Sequence, residues 1–155
     1  MSTRSRIAVK LDDSNIKSIY CHWDGYPSNN GRLLLNYHNN KEAALKIITL
    51  GDLSHLDESL EKPNGHSYDT QIDGYTVAYG RDRNEKGTDA IDHHNINSLI
   101  NAANDSGGEY IYLFDCKKNK WFYLKTSQVI ANLHKGINAK PIRWYVLNNK
   151  NTEEK

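Results

Sequence analysis

The chain has 155 residues, and its 20 Lys and Arg residues against 19 Asp and Glu residues leave a formal net charge of only +1. That length suits one domain. Mean hydropathy is -0.78, which is polar for a globular protein, yet ten Tyr, three Trp and two Phe are too many aromatic residues for a disordered chain. Composition therefore excludes a membrane protein, a coiled coil, a collagen-like chain and an intrinsically disordered chain.

The cysteine content indicates a reducing compartment. Cys21 and Cys116 can form at most one disulfide, whereas secreted domains that depend on disulfides usually carry more. Near the amino terminus, Lys10 interrupts the short apolar run at 7–9, so no signal-peptide core is expected there. We therefore expect a cytoplasmic protein with reduced thiols.

Alternating apolar residues predict an opening β-hairpin. They alternate at 7–11 and again at 19–23, on either side of a turn-forming cluster at 12–15. Trp23 falls on the same face of its strand as Ile19, so its ring is expected in the core.

Two helices are predicted next. A short helix is expected at 33–37, and a second follows Asn40, whose side chain can cap it, and ends at Gly51. Residues 52–73 show no clear periodicity. A connection of that length in a compact domain is either functional or poorly ordered.

The second half of the chain is predicted to contain two helices and four strands. Ile96, Leu99, Ile100 and Ala103 lie on one face of an amphipathic helix, and the segments on either side of 117–120 suit a second hairpin. The predicted elements are a strand at 75–79, a helix from Ile96 that ends at 106–108, strands at 110–116 and 121–125, a helix from Ser127 to Leu133, and a strand at 142–147.

These elements favour a single α+β domain over residues 1–147, followed by a polar tail at 148–155. Because hairpins stand near both ends, the expected sheet is mainly antiparallel, with about six strands. Three to four short helices are expected to pack on one face of that sheet.

The seven histidines are the first candidates for chemistry, but none lies in a recognisable motif. The pair His93-His94 matches no zinc signature, because zinc ligands are usually separated on two elements. Cys21 and His22 are neighbours on a strand, so their side chains point to opposite faces and cannot form a local dyad. No glycine-rich phosphate-binding motif is present either. We therefore assign no catalytic residue, metal ligand or cofactor.

Arg81 and Arg83 lie two residues apart at the end of the strand predicted at 75–79, so in an extended chain they project to the same side. Guanidinium groups bind phosphate or carboxylate in a bidentate way. Asp82 and Glu85 could instead satisfy both arginines in ordinary surface ion pairs. The ion-pair interpretation is favoured, and both arginines stay candidates for ligand binding.

Charge is segregated along the chain. Residues 52–73 contain six acidic residues and one lysine, whereas residues 117–150 contain eight basic residues and no acid. Aromatic residues lie between these bases, a combination that suits ligands with phosphates and bases. The near-neutral total argues against a general nucleic-acid binder, and the acidic segment could simply neutralise a solvated basic face. The candidates here are Lys120, Trp121, Lys135, Arg143 and Tyr145.

Three segments carry a resemblance to a known group of proteins. They read TRSRIAV at 3–9, SIYCHWDGYP at 18–27 and TVAYGRDR at 76–83. In this order they resemble a group of small, functionally uncharacterised accessory proteins of tailed bacteriophages and prophages, from the amino terminus to the hairpin near 110–123. The resemblance assigns no residue roles. It implies an accessory protein in the cytoplasm of an infected bacterium, where such proteins often neutralise host defence components or their nucleotide signals.

The segment His22-Trp23-Asp24-Gly25-Tyr26-Pro27 leaves a strand through a turn. Within it, Asp24 and Tyr26 are expected to be more accessible to a ligand than Trp23 is. Tyrosine is enriched at binding hot spots because it buries much area with few rotatable bonds.

Three functions remain open, in this order. The first is a non-enzymatic phage accessory protein that antagonises a host defence component by binding either a protein partner or a nucleotide second messenger. The second is a nucleic-acid-binding regulator that uses the basic region at 117–150. The third is a small hydrolase that uses His66, His93 or His94. No membrane partner is expected, and homo-oligomer formation is left open.

Overall fold

The predicted opening hairpin is present in the computed structural model, which describes residues 2–153. Strands β1 (Arg4–Asp12) and β2 (Asn15–Cys21) run antiparallel. In the turn between them, the backbone amide of Ser14 donates to Asp12 Oδ1 at 2.9 Å. Because this bond forms within the turn itself, the polar cluster predicts it without tertiary information.

The described part of the chain contains six further strands and five α-helices, and none of its helices is long and apolar enough to cross a membrane. A π-helical turn at Pro27–Gly31 leads directly into the first α-helix. In chain order the elements are α1 (Arg32–Tyr37), α2 (Lys41–Leu50), β3 (Leu53–His55), β4 (Val77–Ala78), α3 (Tyr79–Arg83), β5 (Ile91–His93), α4 (Ile96–Asp105), β6 (Gly108–Asp115), β7 (Lys120–Lys125), α5 (Thr126–Leu133) and β8 (Tyr145–Val146).

Local capping signals define the ends of α2 and the start of α4. Asn40 Oδ1 accepts from the backbone amide of Ala43 at 2.8 Å, and Gly51 follows α2 with φ +76°. Asn95 caps α4 in the same way, since its Oδ1 accepts from the amide of Ser98 at 2.8 Å. Each cap satisfies a first-turn amide that has no partner inside the helix. The predicted second helix is therefore confirmed.

The sheet is mixed and has eight strands, in the order β4-β3-β2-β1-β6-β7-β8, with β5 paired to β2 beside β3. β1 and β6 are parallel, as are β2 and β3, and the other pairs are antiparallel. This corrects the expected six-stranded, mainly antiparallel sheet. The two additional strands, β3 and β5, are three residues long, too short for an alternating pattern to predict. The strand predicted at 75–79 is present only as the two-residue β4.

Helices cover both faces of the sheet, which corrects the expectation of helices on one face. Strand β1 shows why: Ile7 and Val9 lie in a core with α1 and α2, whereas Ala8 lies in a second core with α4 and α5. Alternate residues of a strand point to opposite faces. Because β1 is buried on both sides, it is apolar on both, as central strands of covered sheets are.

The connection at 52–73 is anchored to the sheet rather than loose. It begins with β3, and Leu53, Leu56 and Leu60 are buried. The backbone amide of Asp57 donates to Thr76 Oγ1 at 2.8 Å. Its acidic residues therefore belong to a packed segment.

The carboxyl-terminal strand is shorter than predicted, because only Tyr145 and Val146 of the segment 142–147 pair with β7. After it, residues 148–153 form a packed turn rather than a loose tail. Thr152 is buried, and its Oγ1 donates to the carbonyl of Asn148 at 2.9 Å. Glu154 and Lys155 of the predicted tail lie outside the described residues.

Candidate functional site: a basic, tyrosine-lined cleft

The loop at 22–27 is held in place by packing. The Tyr112 hydroxyl donates to the carbonyl of Gly25 at 2.6 Å, and a Cβ at Gly25 would lie 2.8 Å from Ser5 Cβ, closer than real Cβ atoms approach. Asp24 adopts φ +54°. The Tyr26 hydroxyl donates to Asp24 Oδ1 at 3.4 Å, so these two candidates contact each other.

Two side chains near this loop differ from expectation. Trp23 is 43% exposed, so its predicted place in the core is wrong. The ring lies edge-on to His22 at a centroid distance of 4.7 Å. Asn30, which sequence patterns do not single out, is fully buried and donates to Ser5 Oγ at 3.1 Å and to Cys21 Sγ at 3.5 Å.

Arg81 is committed to internal hydrogen bonds, which corrects its place among the ligand-binding candidates. Its guanidinium donates to both carboxylate oxygens of Asp82, at 2.9 and 3.0 Å. It also donates to the carbonyls of Leu60 at 2.7 Å and Thr76 at 3.0 Å. Burial by itself would raise the pKa of Asp82, but the bonds from Arg81 and from the Ala78 amide outweigh it and hold that pKa below its ordinary value.

Arg83 does not converge with Arg81, because residues 79–83 form a helix instead of an extended strand. Residues two apart on a helix point in nearly opposite directions. The guanidinium carbon of Arg83 lies 4.4 Å from the ring centroid of Tyr68 and 4.5 Å from that of Tyr79. The same group pairs with Glu85 at 2.7 Å. This arrangement fits the ion-pair interpretation and adds a cation–π contact.

Trp121 and Lys120 lie away from the other basic candidates. Trp121 is 1% exposed, and its indole N–H donates to the carbonyl of His38 at 2.9 Å, which corrects the expectation that its ring faces a ligand. Lys120 begins β7 and Lys125 ends it, so about 16 Å of strand separates them. Lys120 therefore lies at the end of β7 away from Lys125 and the bases after α5.

Lys135, Arg143 and Tyr145 do converge. Together with Lys140 they line a cavity of about 280 Å³. It adjoins a second cavity of about 470 Å³ that Tyr110, Tyr123 and Lys125 line. Gln128 and Tyr145 belong to the walls of both cavities. We call the two cavities together the cleft.

The strand register builds the aromatic wall of the cleft. Tyr112 of β6 pairs with Tyr123 of β7, and Tyr123 pairs with Tyr145 of β8. Paired residues lie on the same face of a sheet, so the three rings form a row across it. Neighbouring ring centroids are 6.3 Å and 5.8 Å apart. Tyr110 continues the row beside Tyr112 at 6.5 Å.

Asn132 holds the basic wall in place. Its side-chain amide donates to the carbonyl of Lys140 at 2.7 Å, and its Oδ1 accepts from the Lys140 backbone amide at 2.9 Å. This pair of bonds fastens the segment after α5 back onto the helix. Ile142 and Trp144 then pack against the α4–α5 core, which leaves Arg143 between them facing the cleft. No sequence pattern points to Asn132.

The electrostatics of the cleft are one-sided. Its described walls contain Lys125, Lys135, Lys140 and Arg143 and no carboxylate. Among residues 2–153, none of these four side chains forms an ion pair. Cations beside exposed aromatic rings can bind phosphate and stack on bases.

A larger cavity, of about 690 Å³, lies at the opposite end of the sheet and differs in charge. Its wall mixes three lysines with three aspartates, and Lys10 pairs with Asp13 at 3.0 Å. Its positive charge is neutralised internally, so its size alone does not make it a better anion site.

The candidate residues for a hydrolase are mostly enclosed. The His66 side chain is fully buried; its Nδ1 accepts from the amide of Ile72 at 3.1 Å, and its Nε2 donates to the carbonyl of Thr76 at 3.2 Å. His93 is also buried, whereas His94 is exposed. Burial raises the pKa of Cys21 to about 11, so its thiol stays protonated.

Comparison with protein-family profiles, curated proteins and solved structures gives no significant match. Residues 2–153 also contain no group of three or more His, Cys, Asp or Glu side chains arranged to hold a metal ion. The class of protein that the fold defines is therefore an α+β domain with a mixed eight-stranded sheet, and the cleft is its candidate site.

Proposed function

We propose that this protein is a non-enzymatic binding protein whose cleft takes a phosphate-bearing nucleotide. The observation that carries the proposal is the wall of the cleft: four cationic side chains and three tyrosines, with no carboxylate among the described lining residues. The cations can bind the phosphate of such a nucleotide, and the tyrosine rings can stack on its base.

Magnitudes favour a ligand with both features over a simple anion. A hydrogen bond to a charged group contributes about 1.5–3 kcal/mol, and stacking a base on an aromatic ring contributes about 1–3 kcal/mol. A single phosphate contact would give weak affinity, whereas two cations and one stacked base together contribute about 4–9 kcal/mol, which corresponds to dissociation constants from the millimolar to the micromolar range. The cavity of about 470 Å³ has a size typical of small-molecule sites, which span about 300–1,000 Å³, and the adjoining cavity of about 280 Å³ lies just below that range.

The wider role that we propose follows the resemblance of the three sequence segments. In the cytoplasm of an infected bacterium, the protein would antagonise a host defence component. It would do so by sequestering a nucleotide second messenger in the cleft, or by presenting the same basic, aromatic surface to an acidic protein partner.

The nucleotide version is tested by calorimetric titration with adenosine and guanosine mono- and diphosphates. Binding is expected, and Arg143→Gln should weaken it by about tenfold or more, because a charge-assisted bond is lost. Lys86→Gln is the matched control, since Lys86 is an exposed base outside the cleft. If no nucleotide binds, or if both variants behave alike, the nucleotide proposal is wrong.

The protein-partner version is tested by affinity capture from host lysate, with mass spectrometry of small molecules released when the purified protein is heated. Capture of one acidic protein that Arg143→Gln abolishes, with no released nucleotide, would replace the nucleotide by a protein partner.

A further inference from the structure

A third cavity extends the cleft. It has a volume of about 290 Å³ and is lined by Gly107, Gly108, Ser127 and Lys125. Lys125 also lines the cleft cavity of about 470 Å³, which we call the middle cavity. Lys125 therefore joins the third cavity to the middle cavity. In the same way Tyr145 and Gln128 join the middle cavity to the cavity of about 280 Å³, which we call the far cavity. Three cavities therefore follow one another around the first two turns of α5.

We infer that the ligand is a single-stranded oligonucleotide segment of about three nucleotides, threaded through these three cavities. This inference rests on the proposed function of the cleft and names the class of nucleotide that it takes. A row of cavities joined end to end suits a linear polymer better than a mononucleotide, which would fill one cavity and leave two unoccupied.

The positions of the cations fit a sugar–phosphate backbone. Lys125 stands where the third and middle cavities meet, and Lys135, Lys140 and Arg143 surround the far cavity. Three cations therefore surround one end of the path, and the fourth, Lys125, stands where the other two cavities meet. Proteins that bind single strands without sequence preference use such a positively charged groove to follow the backbone.

The tyrosines favour a single strand over a duplex. Tyr145 is 45% exposed, and Tyr110 and Tyr123 are partly exposed in the wall of the middle cavity. Bases can stack on such rings only when they are unpaired and accessible. A duplex offers phosphates to the lysines but no exposed base face to the tyrosines.

One acidic residue lies on the path, Glu109 in the third cavity. Its carboxylate repels a strand long enough to enter that cavity and has little effect on a ligand confined to the other two. Glu109→Gln is therefore expected to tighten the binding of longer ligands selectively.

The experiment is a titration of the full chain with thymidine monophosphate and with single-stranded oligothymidylates of about three and about eight nucleotides. Affinity should rise at least tenfold from the monophosphate to the trinucleotide and then change little per occupied site. The logarithm of the binding constant should fall with the logarithm of salt concentration with a slope of up to about -2.1, because a trinucleotide segment carries at most three phosphates and each contact contributes about -0.7.

Two variants test the assignment of the tyrosines. Tyr145→Ala should weaken binding of the trinucleotide about tenfold. Tyr37→Ala is the matched control, because Tyr37 is 47% exposed but lies outside the three cavities. It should leave the affinity unchanged.

The outcomes separate this inference from the proposed function. If the monophosphate binds through Arg143 and longer strands bind no tighter, the oligonucleotide inference is overturned while the proposed function stands. Equal affinity for a stem–loop whose duplex stem has about eight base pairs also overturns the inference, since stacking on unpaired bases would then contribute nothing. If neither the monophosphate nor any strand binds the folded protein, both proposals fail.

Discussion

Several polar side chains in the interior of this protein form one hydrogen-bonded network. Arg6 is 3% exposed, and its Nε donates to Ser18 Oγ at 2.9 Å. Ser18 Oγ lies 2.7 Å from His93 Nε2, and His93 Nδ1 lies 2.8 Å from Ser98 Oγ. This hydrogen-bonded network links β1, β2, β5 and α4. Because Arg6 donates to Ser18, the arrangement suits a neutral imidazole that accepts from Ser18 and donates to Ser98.

The neutral state of His93 predicts a pH dependence of stability. Burial, with Arg6 nearby, lowers the pKa of His93 below its ordinary value, and burial does the same for His38. Below about pH 6.5 the unfolded chain therefore binds more protons than the folded one. The contribution of these two histidines to the free energy of unfolding should therefore be complete above that pH. It should decrease as the pH falls toward their pKa values in the folded protein.

Urea denaturation between about pH 7 and pH 5 checks this expectation. His93→Gln should reduce the slope, which for one group cannot exceed about 1.4 kcal/mol per pH unit. His94→Gln, at the exposed neighbouring position, should keep the slope of the parent protein. Equal slopes in both variants would contradict a role for His93.

At Thr126 we expect a substitution to stabilise the fold. It is 4% exposed, and among the described residues its Oγ1 is the one buried side-chain oxygen or nitrogen without a hydrogen-bond partner. Burying an unsatisfied hydroxyl costs about 1–3 kcal/mol. Thr126→Val removes the hydroxyl and keeps the branched shape, so we expect the free energy of unfolding to rise by about 1 kcal/mol in denaturant titration.

Thr76→Val is the control for this effect. Thr76 is fully buried as well, but its Oγ1 accepts from the Asp57 amide at 2.8 Å. The same substitution there leaves that amide without its partner, so it should destabilise the fold by about 1–3 kcal/mol. If both substitutions shift stability in the same direction, satisfaction of the hydroxyl is not the deciding factor.

Among the secondary-structure elements, those with a complete local signal could be predicted from the sequence. The Asn40 cap with Gly51, and the apolar face of α4 after Asn95, depend on residues within the same segment. In contrast, β3 and β5 are short and form because β2 supplies their partner. Local pattern also fails to predict α3. Residues 81–83 follow the strand predicted at 75–79 and would continue it if extended, whereas in the structure Tyr79–Arg83 is helical.

Gly51 tests the junction between α2 and β3. It adopts φ +76° and ψ -158°, a region that only glycine occupies readily. A Cβ there would also collide with the carbonyl oxygen of Thr88, which accepts from the Asp52 amide at 2.7 Å. Gly51→Ala should therefore lower the free energy of unfolding by about 3 kcal/mol or more, from backbone strain and overpacking together.

Gly87 separates these two contributions. It has nearly the same φ, +77°, but a Cβ there would meet no atom within 4 Å. Gly87→Ala should cost only about 1 kcal/mol, from backbone strain alone. Chemical denaturation of both variants measures the difference, and equal losses would show that the contact with Thr88 carries no weight.

At the scale of the whole molecule, the candidate site was partly predictable. The acid-free basic run at 117–150 contains Lys135, Arg143 and Tyr145, which line one cavity in the structure because this part of the chain folds back against α5. Trp121 and Lys120 do not line the cleft. Trp121 lies on the buried face of β7, and Lys120 lies at the end of β7 opposite Lys125. Tyr110 and Tyr123 lie in the hairpin of β6 and β7, and they join the site because Tyr123 pairs with Tyr145 of the more distant strand β8, a pairing that no local pattern encodes.

The two cores should unfold together, because the central strands serve both. β1 contributes Ile7 to the α1–α2 core and Ala8 to the α4–α5 core. In the same way β6 contributes Phe114 to the first core and Leu113 to the second. Neither core can lose its strands without exposing the other, so we expect one cooperative transition.

Core truncations test this coupling across the sheet. Ile47 and Leu99 are fully buried, in the first and the second core respectively. Ile47→Ala and Leu99→Ala should each lower the free energy of unfolding by about 2–5 kcal/mol. Trp121 lies in the first core and Trp144 packs against the second, so a variant in which either one is the single tryptophan left reports its own side by fluorescence. Within each such variant, either truncation should shift the fluorescence midpoint and the circular dichroism midpoint by the same amount. A midpoint that moves only for the tryptophan on the truncated side would show that the two layers unfold independently, despite the strands they share.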